Sequence, residues 1–259
     1  MLDISQALPF GLHVSLNHWD LVLVVVVSLQ TAGLAYIAAP RAKSVMMTLP
    51  LPFTIVTLSL GLSVNASNVL CLVILFIYSH LIRLLHDRFG LPIVAAIPLA
   101  LAGYIVLGLA AARVTPTGDT AFWIATAVVF VCGLFLFFGT SPRAERAHRT
   151  SLPVWAKLPI ILCVVALLVL IKGNLGGFAS FFPLVSIVGS YEARHCLWTM
   201  TRTIPLLMIT ILPLLVTAHL LQDTLGLGMS MLLGWIVFLI LLVPITAWQW
   251  KRWPAPLTD

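Results

Sequence analysis

Long apolar runs, separated by short polar, proline or glycine breaks, fill most of the chain. A helix needs about 20 apolar residues to cross the hydrocarbon core of a bilayer. The runs predict nine transmembrane helices, at residues 20–39, 49–64, 68–86, 91–112, 120–140, 154–171, 176–193, 204–222 and 227–248. The pattern therefore predicts an all-α membrane protein with nine transmembrane helices.

The basic residues give the predicted helices an orientation. Twelve of the 14 lysines and arginines fall in loops on one side, and only Arg113 and Lys172 fall on the other. Cytoplasmic loops of membrane proteins carry an excess of lysine and arginine. We therefore expect a multi-pass protein of the bacterial inner (cell) membrane, with a periplasmic N-terminus and a cytoplasmic C-terminus.

The composition narrows the possible classes of protein. Hydrophobic residues make up 61% of the chain and charged residues only 8%, whereas a soluble domain carries about 25% charged residues. This excludes an ordinary soluble protein and predicts contact with membrane lipids, not with nucleic acid. The four cysteines have no Cys-x-x-Cys spacing, and no motif for a cofactor or a metal is present, so we expect neither.

Residue patterns that recur at similar spacings indicate an internal duplication. The sequence from Pro40 to Lys43 resembles the sequence from Pro142 to Glu145. Tyr78 precedes Pro92 by 14 positions, and Tyr191 precedes Pro205 by 14 positions. They predict an N-terminal leader with the first helix (1–48) and two four-helix repeats (49–141 and 142–259). An even number of crossings in each repeat makes the two copies parallel, with a pseudo-twofold axis along the membrane normal.

A set of aromatic, proline and arginine positions in the second repeat has a distinctive spacing. These positions are Phe182-Pro183, Tyr191, Arg202, Ile204-Pro205 and Pro213. The stretch 158–248 resembles the GlpM family of small four-helix bacterial inner-membrane proteins. The family has His where this chain has Ser190, and the first repeat lacks the Phe-Pro pair. The resemblance implies a fused tandem copy that is equivalent to a parallel homodimer.

Ionisable residues near the cytoplasmic ends of two matching helices are candidates for a functional site. They are Tyr78, His80 and Arg83 in the first repeat, and Tyr191, Glu192, Arg194 and His195 in the second. A carboxylate beside His and Arg suits a proton-coupled site, because burial and nearby charge control proton binding. The alternative is structural: side chains at helix ends extend to the interface, and Glu192 pairs with a neighbouring cation.

A polar, glycine-rich stretch on the outer side is a second candidate site. Lys172 and Asn174 lie in the sequence Lys-Gly-Asn-Leu-Gly-Gly, and Asn65 occupies the matching outer turn of the first repeat. Main-chain amides with a lysine and an asparagine could bind an anionic group that enters from outside. The alternative is a tight turn followed by small residues that allow close helix packing.

Two functions fit this sequence. The first is a transporter or flippase for a small or lipid-linked compound, with Glu192 as a candidate proton-coupling residue. The second is a non-transporting accessory subunit or scaffold of an envelope-biogenesis complex, which would bind a membrane partner protein or a second copy of the chain. No Gly-x-Ser-x-Gly or multi-histidine motif is present, so we do not expect an enzyme.

Overall fold

The computed structural model describes residues 7–8, 12–13, 18–37, 39–141, 143, 145 and 153–252. These residues are almost entirely helical. The α-helices are α1 His18–Tyr36, α2 Pro40–Thr48, α3 Leu51–Leu60, α4 Ala66–Arg83, α5 Ile93–Val114, α6 Asp119–Gly139, α7 Leu158–Leu175, α8 Leu184–Glu192 and α9 Leu197–Arg252. The shorter elements are the antiparallel strands β1 Ala7–Leu8 and β2 Leu12–His13, a π-helical turn Leu84–Arg88, and 3-10 turns Val154–Lys157 and Gly176–Ala179.

Six helical stretches in the described residues are long and apolar enough to cross a membrane. They are Arg41–Leu60, Ala66–Arg88, Ile93–Val114, Asp119–Gly139, Leu158–Ala179 and Leu197–Lys251. The prediction of an all-helical, multi-pass membrane protein is therefore confirmed. Helices α4, α5 and α6 also begin and end within three residues of their predicted bounds.

The second predicted helix, 49–64, is wrong in its bounds, because the structure contains a break there. Helix α2 covers residues that were predicted as a loop, and α3 follows it after only Leu49 and Pro50. Proline has no amide hydrogen to donate, and it disfavours a helical conformation in the residue before it. Pro50 and Pro52 therefore end one helix and begin the next. We name residues 40–60 the first broken segment.

The seventh predicted helix, 176–193, is also interrupted. Gly176 ends α7 with a φ of 53°, a conformation that favours glycine, and a 3-10 turn follows it. Residues 180–183, which end in Pro183, are not helical, and α8 then occupies the last nine residues of the segment. We name residues 176–192 the second broken segment.

Helix α9 consists of two helices joined without a loop. Gly226 has a φ of 76° and divides α9 into a first half, 197–225, and a second half, 227–252. The division falls between the eighth and ninth predicted helices. A Cβ atom on Gly234 would lie 2.9 Å from the Leu214 carbonyl oxygen, so the two halves pack against each other closely.

The broken segments lie in the interior, and continuous helices surround them. Helices α1 and α9 contact the first broken segment, and helices α1, α4, α5 and α7 contact the second. Large apolar side chains on α5, α6 and the second half of α9 point outward, for example Val106, Phe135 and Ile240. In a membrane protein such a surface faces lipid, and the core is left to the broken segments.

The positions of the two breaks differ from those that a parallel duplication would give. The parallel repeat pairs the second predicted helix with the sixth, and the third with the seventh. In the structure the broken segments are the second and the seventh, whereas the sixth, α7, is continuous. The parallel repeat stays a prediction, and it does not account for the positions of the breaks.

Candidate functional site

The two broken segments meet at their breaks. The rings of Phe53 and Phe181, one from each segment, stack with centroids 4.5 Å apart. Beside them lies a cavity of about 50 Å³ that is lined by residues of 47–53 and 180–186, together with Leu75 and Leu207. A volume of this size holds a few water molecules and no organic solute. The described conformation therefore leaves no room for a solute at the breaks.

The second break is held in place by side chains from α4 and α5. These hydrogen bonds run from Asn68 Nδ2 to Ser180 Oγ (3.1 Å), from Tyr104 OH to the Phe178 carbonyl (3.0 Å) and from Cys71 Sγ to the same carbonyl (3.1 Å). A break at membrane depth exposes main-chain groups that need partners within the protein. The polar groups on α4 and α5 supply those partners.

The first break is stabilised by a side chain of α1. Gln30 Nε2 donates to the main-chain oxygens of Met46, at 2.8 Å, and of Leu49, at 3.3 Å. The last carbonyl groups of a helix have no intrahelical partner. Gln30 therefore satisfies two carbonyls at the end of α2, and Thr48 Oγ1 donates to a third, that of Val45.

A second, smaller cavity of about 30 Å³ extends from the breaks toward the end of α8. Met47, Thr48 and Leu75 line both cavities. The second cavity has a wall rich in hydroxyl groups, which belong to Ser44, Thr48, Ser79, Ser186, Ser190, Thr201 and Thr203. Hydroxyl groups therefore line part of a cavity whose other walls are apolar.

A buried charged cluster lies at the end of α8. Glu192 Oε1 lies 2.6 Å from Lys157 Nζ, and their side chains are only 1% and 4% exposed. Lys43 Nζ donates to the Glu192 main-chain oxygen at 3.1 Å. No described residue gives either carboxylate oxygen a well-directed hydrogen bond, so the contact with Lys157 is an ion pair. Nearby, burial raises the pKa of the Cys196 thiol to about 12, which keeps the thiol neutral.

A second buried charged cluster lies at the opposite end of the broken segments. Lys172 Nζ lies 2.7 Å from Asp20 Oδ1 and 2.7 Å from Ser59 Oγ. Ser59 Oγ also donates to Asp20 Oδ1 at 3.0 Å. The side chains of Lys172 and Asp20 are 7% and 5% exposed. The cluster joins the start of α1, the end of α3 and the end of α7.

These two clusters lie toward opposite ends of the broken segments, whose breaks line the cavities. An unpaired charge inside a membrane protein is costly, so each lysine depends on its carboxylate partner. A proton that binds to Asp20 or Glu192 would neutralise the carboxylate and leave the lysine uncompensated. The geometry therefore allows protonation to weaken either end of the bundle.

The predicted site residues of α4 have local partners of their own. Tyr78 is 1% exposed, and its ring lies edge-on to that of Tyr104 at 6.1 Å. His80 Nδ1 lies 3.1 Å from the carbonyl oxygen of Phe76, one turn earlier. Arg83 is the last residue of α4. These contacts explain how Tyr78 and His80 are positioned without assigning them a function.

The arginines near this end of the bundle pack on aromatic rings. The Arg83 and Arg143 guanidinium groups lie over the Trp198 ring, at 4.6 Å and 3.9 Å from its centroid. Arg194 lies 4.9 Å from the Tyr191 ring centroid. Such cation–π contacts are typical where a helix meets the interface.

The remaining predicted residues are divided between the surface and the core. His195 and Asn174 are exposed. Asn65 caps α4, because its side chain accepts from the Ser67 amide at 2.9 Å. Lys172, predicted to bind an anion that enters from outside, is instead buried and paired with Asp20. Of the predicted residues, Glu192 and Lys172 are the two that belong to the buried clusters.

Sequence reasoning missed Asp20, Lys43 and Lys157 as buried residues. Lys43 and Lys157 were counted among the basic residues of the loops, and Asp20 is the first residue of the predicted helix 20–39. Hydropathy cannot separate a charge that reaches solvent from one that is buried beside a partner. A usable signal was the position of Asp20 and Lys157 directly at the start of apolar helices.

The described residues contain no group of three His, Cys, Asp or Glu side chains that could hold a metal ion. Comparison with known proteins found no matching family model, no matching curated protein and no matching solved structure. The resemblance to the GlpM family therefore stays a prediction.

Proposed function

We propose that this protein is a membrane transporter that binds a small or lipid-linked compound between its two broken segments. In the proposed topology the chain crosses the membrane nine times. The broken segments and the two halves of α9 each provide one crossing, and the arginine- and lysine-rich end faces the cytoplasm of a bacterial cell.

The observation that carries this proposal is the meeting of two broken helices at one cavity. Transporters commonly bind substrate near the middle of the membrane, where interrupted helices present unpaired main-chain groups. Irregular backbone at this depth is tolerated where it is buried in protein or lines a cavity. A scaffold that only bound a partner at its surface would have no need for two breaks in its core.

Glu192 is the proposed proton-coupling residue. Its carboxylate is buried beside Lys157 and lies at the end of the segment that forms the second break. The hydroxyl-lined cavity includes Ser190, two positions away, and leads back to the breaks. Proton binding at Glu192 would thus be linked to the cavity through a single short helix.

The test is untargeted mass spectrometry of small molecules that remain bound to the gently purified protein. Ser186→Trp fills the cavity between the breaks, and Phe135→Trp, on the 79% exposed side chain of α6, is the matched control. We expect a compound that is retained by the wild type and the control and depleted about tenfold or more in Ser186→Trp, since a steric cost above 1.4 kcal/mol has that effect.

The same compound, reconstituted with the protein in proteoliposomes, tests the coupling. The wild type should accumulate it when a pH gradient is imposed, and Glu192→Gln should exchange it without responding to the gradient. Glu145→Gln is the control, because Glu145 lies at the same end but binds the main-chain amides of Trp198 and Thr199. Identical small-molecule profiles in all variants, together with a stoichiometric partner protein, would instead support the accessory subunit.

A further inference from the structure

The two buried clusters have the same construction at opposite ends of the molecule. In one, Asp20 at the start of α1 meets Ser59 at the end of the first broken segment, 39 positions later. In the other, Lys157 at the start of α7 meets Glu192 at the end of the second broken segment, 192 − 157 = 35 positions later. In each case a continuous helix begins beside the end of the broken segment that follows it.

Each cluster also contains a lysine from the other half of the chain. Lys172, near the end of α7, reaches Asp20 at the start of α1. Lys43, which follows the end of α1 in α2, reaches the Glu192 main chain. Both lysines thus join the two halves of the chain, Lys172 through a carboxylate and Lys43 through a main-chain oxygen.

The order of helices around the clusters is also repeated. A continuous helix, a broken segment and two further long helices occur as α1, the first broken segment, α4 and α5. They occur again as α7, the second broken segment and the two halves of α9. Equivalent elements are five crossings apart, and an odd offset places the copies in opposite orientations in the membrane. The axis that relates them would lie in the membrane plane, unlike the axis of a parallel repeat.

We infer that Asp20 is a second proton-binding carboxylate, at the end of the broken segments opposite Glu192, and that its pairing with Lys172 closes the cavity at that end. This inference rests on the proposed transport function, and it adds a site that transport through Glu192 alone does not require. Proton binding at Asp20 opens the cavity on the Asp20 side, and proton binding at Glu192 opens it on the other side.

Loss of the Asp20 charge is expected to open this end of the cavity because Asp20 and Lys172 are both buried. Neutralising Asp20 leaves Lys172 buried without its carboxylate, and breaking a buried pair by removing one partner is strongly destabilising. Water entry at that end relieves the cost by hydrating the ammonium group. Asparagine has the size of a protonated aspartic acid and no charge, so Asp20→Asn imitates the protonated state.

The experiment measures the labelling rate of a single cysteine by a membrane-impermeant thiol reagent added to one side of the membrane. The cysteine is Thr48→Cys, because Thr48 is 2% exposed and lines both cavities. The native Cys71, Cys132, Cys163 and Cys196 are first replaced by serine. The reporter should react slowly from both sides in this otherwise unchanged protein.

Asp20→Asn should raise the labelling rate about tenfold or more from the Asp20 side alone, given the cost of an unpaired buried lysine. Glu192→Gln should do the same from the Glu192 side. The exchange variant Asp20→Lys/Lys172→Asp should restore slow labelling. Asp119→Asn is the matched control. Asp119 is exposed, lies on the Asp20 side away from the cavities and pairs with His219. This variant should change neither labelling rate.

Ser59→Ala keeps both charges and tests the inference should Asp20→Asn fail to fold. It removes the hydrogen bonds that Ser59 makes within the cluster, so the rate from the Asp20 side should still rise severalfold. An unchanged rate in a folded Asp20→Asn or Ser59→Ala protein, or a rise from the Glu192 side, would overturn the inference. The labelling measurement requires no substrate. If each carboxylate variant opens its own end but the purified protein retains no compound, the proposed transport function is refuted and this inference is not.

Discussion

The two breaks are stabilised in different ways. The first is two residues long, and its free carbonyls depend on Gln30. The second is longer, contains a 3-10 turn, and is bound to α4 and α5 by several side chains that include Asn68 and Tyr104. The second break is therefore anchored redundantly, whereas at the first break a single side chain, Gln30, serves the Met46 and Leu49 carbonyls.

This difference separates a fixed part of the cavity wall from an adjustable one. Residues 177–180 sit against α4, where a Cβ atom on Gly177 would lie 2.8 Å from Ser67 Cβ and 3.2 Å from the Asn68 amide nitrogen. Across the cavity, Met47 supplies a flexible side chain beside Gly189. A rigid second break and a compliant first break would let the cavity change volume by movement of the first broken segment.

The largest effect is expected from Gly177→Ala. The new methyl group would overlap the α4 backbone, which cannot move independently, so unfolding in detergent should be easier by about 3 kcal/mol. Gly189→Ala should cost less, because Met47 can change rotamer. Gly173→Ala, where a Cβ meets nothing within 4 Å, should be neutral or slightly stabilising. Equal losses in all three proteins would contradict the rigid packing of the second break.

A smaller effect is expected from Gln30→Met, which keeps the side-chain length and removes the amide. The carbonyls of Met46 and Leu49 would lose their donor, at a cost of about 2 kcal/mol in denaturant-induced unfolding. Reporter labelling at Thr48→Cys should also increase, because the first break would be loosened. A stable protein with unchanged labelling would show that Gln30 does not stabilise the break.

The smallest effect is expected from Tyr104→Phe. The variant removes one hydrogen bond to the Phe178 carbonyl, but Cys71 Sγ still donates to that oxygen. The loss should be about 1 kcal/mol. Adding Cys71→Ala should cost more than the sum of the two single changes, because the buried carbonyl would then have neither donor. Strict additivity would argue against redundant anchoring.

Apolar run length predicted the continuous helices well. Helices α4, α5 and α6 lie close to their predicted bounds because their apolar residues form uninterrupted runs between loops. Gly226 also falls between two predicted helices. In these places the local sequence alone determines where a helix begins and ends.

The breaks and the buried charges could not be predicted in the same way. The predicted helix 49–64 included Pro50 and Pro52, and Pro183 was interpreted as part of a resemblance, because proline is compatible with a helix start as well as with a break. Lys172 is paired with a residue 152 positions earlier. A pairing over that distance exists only after the helices have packed, so no local pattern indicates it.

The pairing of Asp20 with Lys172 has a consequence for biosynthesis. Ribosomes add about 5–20 residues per second, so the 152 positions between these residues correspond to roughly 8–30 s of synthesis. Throughout that interval Lys172 has not been made, so the contact between Asp20 and Lys172 forms only after α7 has entered the membrane. Helices α1 and α7 therefore reach their final packing late in synthesis, and chains that stop before α7 lack the contact that joins these two helices at this end.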